Sequence, residues 1–302
     1  MPARPDLDAY RPDLDAYRPD LDAYRAAVAD LLVEVGALAD RHCVQARQAL
    51  LTDRLGEPAL ADVLTATPHG LVSARETLLL EVARHRPDPR RRGADLTALV
   101  RFFLLTRIDV AWWARSAAYR TDDQVRHDAD LVDLDALRRR GLLRFRYRAR
   151  PAGPAGRFAH AVRRRIDPHR TPHPAGMPLP RARPEVVALL NQVAAEFALA
   201  APAGTPPLRV TGLTRSLEAQ HRLRRLGDAA IGPGAHCLGW AVDVAVPRSR
   251  HDGAGAVLTT VLLGRQHAGE INVVAQGPGW HLCVAPAAVP RLRRAYEAGR
   301  GH

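Results

Sequence analysis

The chain contains no lysine, so all 44 of its lysine-plus-arginine residues are arginines. With 32 acidic residues, they leave a formal net charge of +12 at pH 7. An arginine-rich surface can bind nucleic acid, but these arginines are scattered among acids and no RNA- or DNA-binding motif is visible. We attribute the excess to a genome composition that favours arginine, alanine, proline and glycine codons. Binding of nucleic acid stays a third hypothesis, behind the two developed below.

Cysteine is also scarce. Its three copies, Cys43, Cys237 and Cys283, form no CxxC pair. An odd count without such a pair argues against a disulfide framework and against a thiolate zinc finger. We expect Cys237 and Cys283 to be small buried apolar residues. A disulfide between them, or Cys283 as an additional metal ligand, are the alternatives.

Long apolar runs are missing as well. No stretch of 18 apolar residues occurs, so the sequence predicts no membrane-spanning helix. Charged repeats follow Met1 in place of the basic and apolar regions of a signal peptide, which predicts a cytoplasmic protein. The hydrophobic share of 47% suits a globular protein with a real core.

The N-terminus repeats the heptapeptide RPDLDAY three times over residues 4–24. A proline in every copy removes a helix donor and clashes with the preceding turn. We therefore predict a disordered or loosely extended tail over residues 1–24.

Helical periodicity follows this tail. Apolar residues recur at three- and four-residue spacings over residues 25–38, and helical patterns continue over 73–84 and 95–119. We assign residues 25–150 to a helical domain of unknown role. Its most apolar helix, 95–119, is expected to be a core helix, with a ligand pocket around its tryptophan pair as the alternative.

Residues 151–184 are rich in proline, glycine, arginine and histidine, which is typical of a linker. Pro184 and Glu185 then favour the start of an amphipathic helix over residues 185–199. We expect residues 185–302 to form a second domain, so the chain as a whole belongs to the α+β class.

Three segments of this second domain carry polar residues of chemical interest. Residues 208–223 read as a strand, a turn and a helix, with Arg215 at the junction. In the second segment, His236 and Asp243 are seven residues apart, and Gly239 between them permits a tight turn. Alternation along residues 240–246 places Asp243 on a strand face of small residues, where an unpaired carboxylate would be costly.

The third segment, residues 271–284, reads as strand, turn and strand, with His281 near the start of the second strand. Two histidines and one carboxylate match the ligand set of catalytic zinc sites, which leave a position for water. We therefore predict that one zinc ion per chain is bound by His236, Asp243 and His281.

The order TRSxxxQ, HxxGxAxD and WH resembles the M15-type D,D-carboxypeptidases and D,D-dipeptidases, including related domains of unknown function. The resemblance covers residues 208–286. It implies a small antiparallel-sheet zinc-peptidase-like domain with flanking helices and zinc ligation by the same three residues. It further implies that Arg215 contacts the substrate or the developing oxyanion, and that Gln220 is structural support.

Two positions depart from the pattern of this family. Gly234 stands where the family usually has serine, two residues before the first histidine. The general-base glutamate of the family is replaced by Pro278 in the commonest alignment, or by Gln276 in that of the looser relatives. Glutamine cannot accept a proton at neutral pH. Glu270 and Glu218 are the nearest alternative acids.

Two functional hypotheses follow. The first is a zinc-dependent peptidase that acts on short D-Ala-D-Ala-type or other cell-wall peptides. The second is a non-catalytic member of the same fold that binds a metal and a peptide terminus, with Arg215 pairing to a carboxylate. The absence of a glutamate at residue 276 favours the second, while the three-part motif favours the first. The sequence does not indicate an oligomeric state.

Overall fold

The computed structural model describes residues 19–38, 44–85, 95–148, 177–225, 234–245, 253–277 and 279–300. Cys43, Pro278, most of the predicted tail and most of the predicted linker lie outside these ranges. The described residues form a mixed α+β structure with a helical N-terminal region and small sheets, as predicted.

We number the elements in chain order. Helices α1 to α11 span Leu21–Ala37, Val44–Arg54, Pro58–Thr65, Gly70–Arg84, Leu96–Trp112, Asp122–His127, Leu134–Arg139, Pro184–Ala200, Leu217–Arg225, Ala254–His267 and Val289–Ala298. Strands β1 to β7 span Val132–Asp133, Arg146–Tyr147, Arg181–Ala182, Arg209–Gly212, Ala241–Ala245, Ile271–Gln276 and Gly279–Val284. Short 3-10 helices cover Ala235–Leu238 and Pro286–Ala288.

The larger sheet has the strand order β2-β4-β5-β7-β6. The prediction of an antiparallel sheet is right for β4, β5, β7 and β6 and wrong for β2, which runs parallel to β4. Parallel neighbours need a long connection, and here the chain between β2 and β4 includes α8. This edge strand comes from residues before the predicted linker, and β1 and β3 form a separate antiparallel pair.

The two faces of the larger sheet are covered by different parts of the chain. Val242, Val244 and Leu282 belong to one apolar cluster with residues of α8, α10 and α11. The opposite face carries Asp243 and His281, which are direct cross-strand partners and so share a face. Helix α5 lies against this polar face. The predicted alternation along β5 is therefore confirmed.

Helix α5 connects two cores. Its residues Phe103, Leu104 and Ile108 belong to an apolar cluster with α1 to α4, which forms the core of the helical region. Immediately after the helix, Trp113 stacks on Trp240 at 3.9 Å between ring centroids, and its indole N–H donates to the Val284 carbonyl at 3.0 Å. Trp113 is thus a core residue, as expected. The division into domains stays a prediction.

Helix α1 begins inside the third heptapeptide copy, so the predicted tail is wrong for residues 21–24. The Asp20 carboxylate accepts hydrogen bonds from the backbone N–H groups of Asp22 and Ala23, at 3.0 and 2.9 Å. Tyr24 is fully buried, and its hydroxyl donates to the Leu104 carbonyl at 2.8 Å. The cap at Asp20 and the burial of Tyr24 therefore stabilise a helix in this copy, even though the repeat pattern predicts none.

We expect Asp20→Ala to lower the free energy of unfolding by about 0.5–2 kcal/mol, because the first turn of α1 loses its side-chain cap. Chemical denaturation followed by circular dichroism measures this change. Asp22→Ala is the matched control, since the Asp22 side chain is 97% exposed and pairs with Arg25 across one helical turn. An equal loss in both variants would contradict the capping role.

Candidate metal centre

The structure brings the three predicted ligands together. His236 lies in the 3-10 helix Ala235–Leu238, Asp243 in β5 and His281 in β7. The Asp243 Oδ1 atom is 3.0 Å from His236 Nε2 and 3.1 Å from His281 Nδ1. One potential ligand atom from each residue lies within 4.8 Å of the others. Among the described histidine, cysteine and acidic side chains, these three have ligand atoms close enough together to hold one metal ion.

A tight turn places His236 beside β5. Gly239 ends the 3-10 helix with a φ of +81°, a left-handed conformation that side chains rarely adopt. A Cβ atom there would also lie only 3.2 Å from Arg183 and 3.3 Å from Tyr119. The Trp240 N–H then donates to the Ala235 carbonyl at 3.1 Å, which closes the turn. The predicted role of Gly239 is confirmed.

Each histidine is anchored through its second ring nitrogen. His236 Nδ1 is 3.0 Å from the Leu213 carbonyl oxygen, and His281 Nε2 is 2.8 Å from the Asp109 carboxylate. Metal-ligating histidines typically donate this second N–H to a carbonyl or carboxylate, which fixes the tautomer and the ring orientation. Both imidazoles therefore direct the remaining nitrogen towards Asp243.

Asp109 was not identified from the sequence. It lies in α5, is fully buried, and contacts a residue 172 positions later in the chain. One sequence feature points to it: Arg107 and Asp109 interrupt the most apolar helix. A charge that is buried in this way needs a partner. Sequence spacing alone cannot name a partner so far away.

The charges of the centre are strongly coupled. Burial, assisted by the Arg215 charge, lowers the pKa of His236 to about 4. Burial would lower the pKa of His281 as well, but hydrogen bonds to Asp109 and Asp243 outweigh it and raise this pKa to about 9. Burial would raise the pKa of Asp243, yet His236, His281 and Arg215 hold it well below the usual range. A cation among these ligands would take the place of a proton, so metal binding releases protons.

The donor set fits a zinc ion. In a tetrahedral shell with bonds of about 2.0–2.2 Å, ligand atoms lie roughly 3.3–3.6 Å apart, so the two observed distances, 3.0 and 3.1 Å, need to widen by only a few tenths of an ångström. The side chains of His281, His236 and Asp243 are 3%, 10% and 18% exposed. Solvent therefore reaches the group from the Asp243 side, where a non-protein ligand could enter.

Arg215 lies at this open side. Its Nη2 atom donates to Asp243 Oδ2 at 3.1 Å, and its backbone N–H donates to the His236 carbonyl at 3.2 Å. It stands between β4 and α9, as predicted. The two carboxylate oxygens of Asp243 thus have different partners: Oδ1 faces the histidines and Oδ2 faces the guanidinium group of Arg215.

The helical region also supports the segment that carries Arg215. The Ser216 hydroxyl and the Arg222 guanidinium both contact the Asp122 carboxylate, and the Leu217 N–H donates to the Tyr119 carbonyl at 2.8 Å. Asp122 therefore holds the start of α9.

Gln276 lies at the edge of the centre. It is exposed near the end of β6, two residues beyond Val274, which pairs directly with His281. Because side chains alternate along a strand, Gln276 is on the same face as His281, about 7 Å further along.

The two alternative acids are engaged away from the centre. Glu270 precedes the opposite end of β6 and pairs with Arg265 and Arg291, at 2.6 and 2.8 Å. Glu218 pairs with Arg222 at 2.8 Å. Both carboxylates are thus paired with arginines rather than with the histidines of the centre.

Cys237 and Cys283 are both buried free thiols. Burial raises the pKa of Cys237 to about 11 and that of Cys283 well above its usual value. The group of side chains that could hold a metal ion includes neither thiol. The expectation that both cysteines are small buried residues is confirmed.

No family model, no curated protein and no solved structure matches the chain. The resemblance to M15-type peptidases stays a prediction that rests on the motif residues themselves. In the described part of the chain, no helix is long and apolar enough to cross a membrane.

Gly212 provides a steric test of the centre. It pairs with Asp243, and a Cβ atom at residue 212 would lie 2.2 Å from Asp243 Oδ2. Gly212→Ala must therefore displace the carboxylate, and we expect zinc affinity to fall at least about tenfold, as supporting changes around metal ligands already do. Competition with a chromophoric chelator measures the affinity.

Gly234→Ala is the matched control, because a Cβ atom there meets nothing within 4 Å although His236 is two residues away. Its affinity for zinc should equal that of the parent chain. If Gly212→Ala also binds zinc as tightly as the parent, Asp243 is not a ligand.

Proposed function

We propose that this chain is a zinc protein that acts on short peptides of the D-Ala-D-Ala or cell-wall type. The observation that carries the proposal is the buried group of His236, Asp243 and His281, with a second anchor on each imidazole and one accessible side. The motif resemblance supplies the substrate class. Imidazole donors also suit copper, nickel and iron, so zinc itself is part of the proposal.

The protein residues have separate roles in this proposal. His236 Nε2, Asp243 Oδ1 and His281 Nδ1 would hold the ion. When bound, zinc supplies Lewis-acid chemistry by polarising a carbonyl group and lowering the pKa of water to about 7. Arg215 keeps donors beyond the one used by Asp243 and is 22% exposed. It can therefore pair with a peptide carboxylate or stabilise a developing oxyanion.

The residue at the general-base position favours a second candidate, a non-catalytic protein that binds a metal and a peptide terminus. Gln276 is on the correct sheet face, but its amide accepts no proton at neutral pH. The carboxylates of Glu270 and Glu218 are held by arginines elsewhere. Peptide binding without turnover is the behaviour that distinguishes this candidate from a peptidase.

Zinc content tests the shared part of both candidates. The full chain, dialysed against metal-free buffer and resupplied with zinc, should hold about one zinc ion, while His236→Ala should hold little because one of three ligands is lost. His69→Ala is the control, since His69 is exposed and lies before α4. Equal zinc content in the parent and His236→Ala would remove the proposed site.

Gln276→Glu tests the catalytic candidate. A carboxylate at this place restores a proton acceptor, so we expect kcat on a D-Ala-D-Ala dipeptide to rise by about 10²–10⁴. Gln45→Glu, the same change at an exposed position of α2, should leave activity unchanged.

Activity in the parent that Gln276→Glu does not raise would show that another group acts as base. If neither protein hydrolyses the dipeptide but both bind it only when zinc is present, the non-catalytic candidate is supported.

A further inference from the structure

The carboxylate of Asp109 accepts a hydrogen bond at each of its oxygens. Oδ2 is 2.8 Å from His281 Nε2, and Oδ1 is 2.8 Å from Asn272 Nδ2. Asp109 is fully buried and Asn272 is 1% exposed. Two donors therefore converge on one carboxylate beneath the sheet, out of contact with water.

The orientation of the Asn272 amide is set by two further contacts. Its Nδ2 atom also donates to the Leu105 carbonyl at 2.9 Å, while its Oδ1 atom accepts from Arg25 Nη2 at 3.4 Å. Turning the amide over would place a donor against the Arg25 guanidinium and an acceptor against a carbonyl. The hydrogen bonds consequently run in one direction, from Arg25 in α1 to Asn272 in β6 and on to Asp109 in α5.

We infer that Asp109 is a positioning residue of the metal centre. By accepting the Nε2–H of His281, it keeps that proton on Nε2 and directs Nδ1 towards Asp243. The inference rests on the proposed metal site and gives the helical region a role in it, because α5 supplies the carboxylate and α1 supplies Arg25. Carboxylate–histidine pairs of this kind orient ligands and make them more basic in metal proteins.

This position requires a carboxylate because it faces two donors. Asparagine offers one acceptor and one donor group. In Asp109→Asn, one of the two contacts therefore sets donor against donor as long as His281 Nε2 keeps its proton. Moving that proton to Nδ1 would relieve the clash, but it would block the nitrogen that faces Asp243. A purely space-filling role would instead tolerate this substitution, since the two side chains have nearly the same shape.

Phe102 adds a packing constraint on the same ring. The two rings pack in a T-shaped arrangement, with 5.6 Å between their centroids and planes at 77°. This packing restricts tilting of the imidazole, whereas the hydrogen bond to Asp109 determines which imidazole nitrogen carries the proton. Both residues belong to α5, so the docking of this helix on the sheet determines how His281 is presented.

The test is a reciprocal exchange in the full chain. Asp109→Asn should weaken zinc binding about 10–100-fold, the usual effect of losing such a partner. Asn272→Asp should also weaken it, because two carboxylates then face each other. The double variant Asp109→Asn/Asn272→Asp restores donor–acceptor pairing between residues 109, 272 and 281 and places the new carboxylate beside Arg25, but one carboxylate oxygen then faces the Leu105 carbonyl. We therefore expect partial recovery, with a zinc affinity between those of Asp109→Asn and the parent.

Glu81→Gln is the matched control for removing a partly buried, paired carboxylate of the helical region. Glu81 pairs with Arg224 and lies outside the metal group. Its zinc affinity should equal that of the parent. Asp109→Asn binding zinc as tightly as the parent would overturn the inference.

A second measurement separates this inference from the proposed function. The Nε2–H proton of His281, hydrogen-bonded to a carboxylate, should give a low-field, slowly exchanging NMR signal that His281→Gln identifies. The signal should disappear in Asp109→Asn, with or without zinc, and in the double variant it should return at higher field, because residue 109 then offers an amide oxygen in place of a carboxylate. If the parent binds no zinc while the signal follows this pattern, the metal function fails and the positioning role stands. A signal unaffected by Asp109→Asn overturns the positioning role.

Discussion

The largely enclosed carboxylate of Asp243 is the constraint around which the centre is arranged. A charge on the inner face of a sheet is costly unless charged or hydrogen-bonding partners surround it. Asp243 receives such partners from a 3-10 helix, a neighbouring strand and the Arg215 turn. Each of these segments is in turn fixed by another part of the chain. The Asp243 charge is therefore stabilised only where these distant segments come together, and a bound cation would stabilise it in the same way.

The helical region takes part in this arrangement in two places. Asp109 holds His281 from α5, and the residues around Tyr119 and Asp122 hold the start of α9 beside Arg215. The centre is therefore built from both sides of the predicted linker, although the motif residues all follow it. The three potential ligands therefore depend on contacts from a part of the chain that carries none of the motif residues.

A metal ligand set and a catalytic apparatus impose different requirements. Ligands need geometry and anchoring, which His236 and His281 possess. Hydrolysis in addition benefits from a proton acceptor near the metal, and Gln276 occupies the corresponding face and edge of the sheet without that capacity. The structure consequently supports metal binding more directly than peptide hydrolysis. The glutamine at residue 276, in place of a glutamate, is what separates the two functional candidates.

The sequence by itself determined the α+β class, helix α8 and the alternation of β5, because periodicity and capping are local properties. It grouped the three potential ligands by their residue types and by the order of the motif. It also named Arg215 at a strand-to-helix junction. Only the tertiary structure revealed Asp109, the parallel strand β2 and the helical start at Leu21. Each depends on contacts between residues far apart in the chain: Asp109 with His281, β2 with β4, and Tyr24 with Leu104. Local patterns carry no information about such partners, since the free energy of these contacts arises only once the chain has folded.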